Sequence, residues 1–324
     1  MTAPLPYHAP RWLRGGHAQT IWPALFMRPP RPAYQRELWA TPDGAQIAVD
    51  RIHGQSGQPL VVLFHGLEGS SDSHYARALM LAVAARGWHG VVPHFRGCGG
   101  MPNPLPRAYH AGDSAEVAWI LARLAQEQHP LFAAGVSLGG NMLLKYLGES
   151  GTAALAQAAA AVSVPLDLAA ASTCLDRGLG RGIYTRMFLD TLKPKALAQL
   201  VAHPGLFDAK RVRAARTFAE FDDLVTAPLA GYRDVHDYWA RASSKPLLPA
   251  ICRPTLIINA KNDPFLPASA LPDAAQVSRY VTLEQPEHGG HVGFASGSFP
   301  GHLAWLPERL LRFFEYTHTR QNKK

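Results

Sequence analysis

The chain has 324 residues, of which 47% are hydrophobic and 17% charged, and carries a formal net charge of +8. That length holds one large domain or two average ones, and the balance buries a core and excludes an intrinsically disordered chain. No apolar run reaches the roughly 18–20 residues that span a bilayer, and the scattered basic residues form no recognisable nucleic-acid module, so no nucleic-acid partner is expected.

Cys98, Cys174 and Cys252 are odd in number and far apart, which argues against a disulfide framework and for a reducing compartment. Residues 1–10 lack a basic segment followed by an apolar one, so no secretory leader is read and the cytoplasm is the expected location. Arg11, Arg14, Arg28, Arg31 and Arg36 all precede the first acidic residue, Glu37. A weak peripheral contact with an anionic lipid surface stays open beside a simple solvated basic face. Residues 1–36 read as an N-terminal arm without a clean period, anchored on the domain by Trp12 and Trp22.

Residues 37–40 and 47–52 flank Thr41-Pro42-Asp43-Gly44, which predicts an antiparallel hairpin. Leu60–Phe64 is continuously apolar, as in a strand covered on both faces. Ser71-Asp72-Ser73 offers N-caps for a helix whose Tyr75, Leu79, Ala82 and Val83 share a face, with Gly87 past its end. A strand over 88–95, an amphipathic helix over 113–126 capped by Asp113, and a strand over 158–164 continue the alternation. This pattern predicts an α/β fold with a mainly parallel sheet and helices on both faces. Residues 165–253 interrupt it with helical stretches over 184–192, 195–201, 212–221 and 235–241. An inserted helical lid over 166–253 is expected, with the core formed by 1–165 and 254–324. Leu179, Ile183, Met187, Phe188 and Phe207 either line an acyl pocket or form the lid's own core. A strand over 255–259, a helix near 268–275, a strand over 280–283 and a helix over 302–316 complete the reading.

The chain is organised around residues 131–142, where an apolar strand runs into Gly135-Val136-Ser137-Leu138-Gly139 and an Ala/Leu-rich helical pattern follows. Gly-x-Ser-x-Gly between a strand and a helix is the pattern of a nucleophile elbow: the glycines leave room for strand and helix to approach, and the serine hydroxyl projects above the sheet. The Leu138 amide, in the first helical turn, is placed to donate to an oxyanion. A serine hydroxyl needs a base, and the base an orienting acid, on loops that follow later strands. Asp263 is the only carboxylate of the loop 259–265, and Asp167, after the preceding strand, competes with it; loop position favours Asp263. In Glu287-His288-Gly289-Gly290-His291 either histidine can serve as base, and local physics barely separates them.

Other motifs take structural readings. His288-x-x-His291 lacks a third metal ligand, and no metal or cofactor is called for. The Leu67 amide, after His65-Gly66, is the second candidate oxyanion donor, with His65 a packed support. The glycine run 97–100 lacks the Lys-Ser/Thr of a phosphate loop, and Cys98 within it is read as packing.

The chain resembles the YheT-like branch of the α/β-hydrolase superfamily. The similarity is carried by Gly15-Gly16-His17-Ala18-Gln19-Thr20, His65-Gly66-Leu67-Glu68-Gly69-Ser70, Phe95-Arg96-Gly97-Cys98-Gly99-Gly100, the elbow, Asn262-Asp263-Pro264 and His288-Gly289-Gly290-His291-Val292-Gly293-Phe294. The resemblance implies a serine hydrolase of carboxylic esters, short- to medium-chain acyl esters or acylglycerols. By motif position it implies Ser137 as nucleophile, Asp263 as acid and His291 as base, and it decides for His291 over His288. An acyltransferase with the same residues, or a small-molecule binding protein on this scaffold, are the alternatives. Oligomeric state is not legible.

Overall fold

The fold is taken from a computed structural model that describes residues 5–321. Its strands are β1 (Gln35–Ala40), β2 (Gln46–Ile52), β3 (Leu60–Phe64), β4 (His89–Pro93), β5 (Leu131–Val136), β6 (Ala158–Val162), β7 (Thr255–Ile258) and β8 (Val281–Glu284), and they form one sheet in the order β1-β2-β4-β3-β5-β6-β7-β8. β2 pairs antiparallel with β1 and with β4, and every other pairing is parallel. The principal helices are α1 (Gly16–Phe26), α2 (His74–Ala85), α3 (Ser114–Ala125), α4 (Leu138–Ser150), α5 (Leu168–Leu175), α6 (Arg186–Ala202), α7 (Val235–Ala242) and α8 (Trp305–Gln321).

The continuous apolar runs occupy the middle of the sheet because helices cover both of its faces. β3, β5, β6 and β7 are buried at every position. Side chains of α3 and α4 pack with Leu60, Val62 and Phe64 on one face, and those of α2 and α8 with Val61 and Leu63 on the other. This is the α/β-hydrolase architecture expected from the sequence. Between β6 and β7 the chain is helical and builds a small core of its own from Leu189, Val212, Phe221 and Val225. Among the described residues no helix is long and apolar enough to cross a membrane.

Several local expectations need correction. The arm is not irregular throughout: α1 forms across Gly16–Phe26, and its buried residues are Gln19, Thr20 and Pro23 rather than an apolar stripe. Ser73 and Asp113 hold the N-cap positions of α2 and α3 without capping through their side chains. The Ser73 hydroxyl instead accepts from the Ser70 amide, and the Asp113 carboxylate is taken by Arg107 at 2.9 Å. The helix expected over 212–221 breaks, because Thr217 starts a new helix at Phe218 by accepting from the Glu220 amide. Conversely, α6 runs through Pro194 and joins the stretches expected over 184–192 and 195–201. Residues 268–275 make two short 3₁₀ turns, since Pro272 lacks the N–H that a longer helix needs.

Candidate active site

β5 ends at Val136, and the chain turns through Ser137, at φ 53° and ψ −122°, directly into α4. An L-residue holds that conformation only when its surroundings impose it. The Ser137 amide donates to the Val162 carbonyl at 2.9 Å, and its carbonyl accepts from Asn141 at 3.1 Å. A side chain at Gly139 would collide with the carbonyls of Phe64 and His65, and one at Gly135 would lie 2.7 Å from the Gly139 carbonyl oxygen. The two glycines thus allow α4 to start against the ends of β3 and β5. Asn141, fully buried, donates to the Ala111 and Ala242 carbonyls at 2.8 Å and accepts from Ser244, which ties α4 to the end of α7.

The loops after β7 and β8 bring two further side chains to this turn. His291 Nε2 lies 3.0 Å from Ser137 Oγ, and His291 Nδ1 lies 2.9 and 3.2 Å from the carboxylate oxygens of Asp263. With Nδ1–H donating to Asp263, Nε2 carries the lone pair that faces the serine hydroxyl. Asp263 is buried, and its Oδ1 also accepts from the Phe265 amide at 2.8 Å. His288, by contrast, is exposed and among the described residues reaches only Asn262. Asp167 accepts from the Ala170 amide as the N-cap of α5. Neither competitor joins the constellation. Among the described residues no group of three or more His, Cys, Asp or Glu is arranged to hold a metal ion.

The candidate oxyanion donors sit on either side of the serine. Leu138 is the first residue of α4, and among the described residues neither its amide nor that of Leu67 is taken by a protein acceptor. The 66–68 loop lies close against Ser137, since a Cβ added to Gly66 would lie 3.2 Å from Ser137 Cβ. His65 fixes this loop from below, its Nδ1 donating to the Gly66 carbonyl at 2.7 Å and its Nε2 accepting from the Phe95 amide at 3.1 Å. Complete burial pushes the His65 imidazole down to about 3, so it stays neutral and keeps both bonds. Glu68 accepts from Tyr109 at 2.8 Å and pairs with Lys195 of α6 at 2.7 Å, which links the 66–68 loop to the helical insertion. Burial pushes the Cys98 thiol up to about 11, in keeping with a packing role.

Sequence reasoning missed Gln19 and Thr20. Gln19 Oε1 accepts from the Gly289 amide at 2.8 Å and from Asn262 at 2.9 Å, while Thr20 Oγ1 accepts from the His291 amide at 2.8 Å. A Cβ on Gly16 would collide with the Asn262 carbonyl, and one on Gly293 with that of Gln19. α1 therefore lies backbone to backbone on the loops that carry Asp263 and His291. The Gly-Gly-His-Ala-Gln-Thr run was the available signal, but nothing in its periodicity points to loops more than 240 residues away.

Ser137, Leu67 and Leu138 open onto a cavity of about 700 Å³ between the sheet's edge and the insertion. Its wall is largely apolar and includes Leu175, Phe188, Leu192, Phe218, Val225 and Trp239. Of the insertion residues singled out from sequence, Phe188 lines this cavity and Phe207 packs in the insertion's own core. Leu179, Ile183 and Met187 do neither: they are exposed.

Comparison with known proteins agrees with this architecture. The sequence model of the alpha/beta hydrolase fold matches residues 59–180. The chain is 40% identical over 301 residues to YheT of Escherichia coli (strain K12), whose name marks it provisionally as an esterase; the match covers 91% of this chain and 88% of that protein. It is 28% identical over 320 residues to human phospholipase ABHD3, covering 95% of this chain and 78% of the relative. Est1E from Butyrivibrio proteoclasticus, solved with ferulic acid bound, superposes with a TM-score of 0.54 at 15% identity, over 89% of this chain and all of that one. The chain belongs to the YheT-like branch of the α/β-hydrolase superfamily.

Proposed function

We propose that the protein is a serine hydrolase of carboxylic esters, with Ser137 as nucleophile, His291 as general base and Asp263 as the acid that orients it. The observation that carries this reading is the unbroken chain of contacts from Asp263 through His291 to a strained Ser137 at the mouth of an apolar cavity. Similarity to YheT, and to a relative named as a phospholipase, supports ester chemistry.

In this mechanism His291 Nε2 takes the Ser137 proton as Oγ bonds to the acyl carbon. The carbonyl electrons move onto oxygen, where the Leu67 and Leu138 amides hold the charge. The tetrahedral species collapses with cleavage of the bond to the alkoxy oxygen, and His291 returns the proton to the departing alcohol. Water then loses a proton to His291 and attacks the acyl-enzyme. A second collapse frees the acid and restores the Ser137 hydroxyl. Asp263 holds the imidazole tautomer and stabilises its charged form.

The apolar wall supports short- to medium-chain acyl esters or acylglycerols as substrates, with residues 166–253 acting as a lid over the core formed by 1–165 and 254–324. No cofactor enters the scheme. A cytoplasmic setting accords with the three unpaired cysteines. The test is turnover of p-nitrophenyl esters of graded acyl length by wild type and Ser137→Ala. Wild type is expected to hydrolyse them, and the variant to lose on the order of 10³-fold or more while keeping its fold. Equal activity in both contradicts the reading.

A further inference from the structure

Six of the ten large apolar side chains that stand exposed among the described residues fall in two strips on two elements, α1 with the 299 loop and the insertion. The first contains Leu25 and Phe26 of α1 together with Phe299, 58, 64 and 68% exposed. Trp22 packs on Phe26 at 4.5 Å and Trp12 on Phe299 at 5.4 Å. The indole N–H groups of Trp12 and Trp22 donate to the carbonyls of Gly297 and Pro300, which fixes the rings. The second strip is Leu179, Ile183 and Met187, spaced four residues apart on the helical run before and into α6.

The helices that carry the strips touch each other where α1 meets the insertion. His17 Nδ1 lies 3.0 Å from the Tyr184 hydroxyl, and Ile21 packs in one apolar cluster with Tyr184, Phe188 and Phe265. His17, Ile21 and Leu25 share one face of α1 at a spacing of four. Phe188, beside exposed Met187, lines the cavity above Ser137.

Charge distinguishes this face from an ordinary apolar patch. Arg11, Arg14 and Arg28 flank the first strip in sequence, and Arg177, Arg181 and Arg186 punctuate the second; all six are exposed. No Asp or Glu occurs in residues 1–36 or 177–189. Among the described residues only Arg186 of the six has an acidic partner, Asp190 at 4.0 Å. Exposed Leu, Ile and Phe with fixed Trp and unpaired Arg are the combination that inserts at the boundary between acyl chains and anionic head groups. A second copy of the chain would instead oppose arginine to arginine.

We infer that this face docks on an anionic lipid surface, with the strips in the head-group boundary and the arginines on lipid phosphates. The inference deepens the ester-hydrolase reading and rests on it for its purpose: the lid wall next to the cavity would meet lipid where an ester partitions. Docking itself does not depend on catalysis.

The experiment is co-sedimentation of the full chain with vesicles of phosphatidylcholine, with and without about a third phosphatidylglycerol. The variants are Phe26→Ser/Phe299→Ser, Ile183→Ser/Met187→Ser and Arg177→Glu/Arg181→Glu, all at exposed positions outside the proposed catalytic machinery. Wild type is expected to bind the anionic vesicles, to bind the neutral ones less, and to lose about tenfold in bound-to-free ratio in each variant. Turnover of a water-soluble short ester is expected to stay at the wild-type level. The inference is overturned if wild type remains in the supernatant, or if all three variants bind as wild type does. It is also overturned if wild type is a dimer that these substitutions dissociate. Vesicle binding without any soluble-ester turnover would instead count against the hydrolase reading alone.

Discussion

Phe265 lies flat against the imidazole of His291, with ring centroids 3.9 Å apart and planes 13° from parallel. Because Phe265 follows Asp263 by two residues, one short loop holds the imidazole edge through the carboxylate and its face through the phenyl ring. Tyr184 packs on Phe265 with ring centroids 4.7 Å apart, so the insertion supports the stack. An aromatic face also favours the imidazolium that the proposed mechanism forms on His291. Phe265→Ala is therefore expected to lower kcat for a soluble ester about tenfold or more, and Phe265→Tyr to keep most of it. Steady-state kinetics check this, and an unaffected Phe265→Ala enzyme would contradict it.

Gln19→Leu strands the buried Gly289 amide and removes one partner of half-buried Asn262, and Thr20→Val takes the acceptor from the part-buried His291 amide. Each should cost about 1–3 kcal/mol of stability. Because these bonds position the loop that carries His291 and touch no part of the cavity, kcat should fall about tenfold with KM little changed. Denaturant unfolding and steady-state kinetics on the same samples measure both effects. Normal kcat with reduced stability would reduce α1 to a structural brace.

Neutral His65 holds the 66–68 loop, and its depressed pKa gives that contribution a sign. The stabilisation is fully present above the unfolded imidazole value near 6.5 and is lost as pH falls from there toward about 3. The stability advantage of wild type over His65→Gln should be largest near pH 8, of order ~3 kcal/mol, and shrink steadily below about pH 6. Denaturant unfolding at several pH values reads it; an advantage that grows on acidification would contradict the assignment.

Asp222 carries the opposite sign. It lines the cavity and accepts from Thr226 at 2.7 Å and Trp239 at 3.0 Å, yet burial pushes its carboxyl up to about 6. The folded state holds its proton more tightly than the unfolded state, so stability declines as pH rises from about 4 to about 6. Asp222→Asn should gain about 1–3 kcal/mol near pH 8 and almost nothing near pH 4. A gain that is the same at both pH values would contradict this.

What was legible in the sequence follows from which signals are local. β3 and β5 were readable because strands covered on both faces are continuously apolar, and the elbow because Gly-x-Ser-x-Gly encodes a backbone turn as well as a side chain. α1 was not: its buried residues are polar, its stabilising bonds go to distant loops, and Gly16 and Pro23 mimic helix breakers. His288 and His291 could not be separated locally, because the difference lies in Gly289 and Gly290, whose φ values of 147° and 60° turn the chain between them. Leu179, Ile183 and Met187 were weighed only as cavity wall or lid core. Solvent exposure of an apolar strip is invisible to a pattern that presumes burial.

The central claim is that Ser137 is activated by His291. Labelling with a fluorophosphonate probe, read by peptide mass spectrometry on wild type, His291→Ala and His288→Ala, tests it most directly because it needs no knowledge of the substrate. Modification of Ser137 in wild type and His288→Ala but not in His291→Ala is the predicted result. Equal labelling of Ser137 in wild type and His291→Ala, or no labelling of Ser137 in wild type, would contradict the claim.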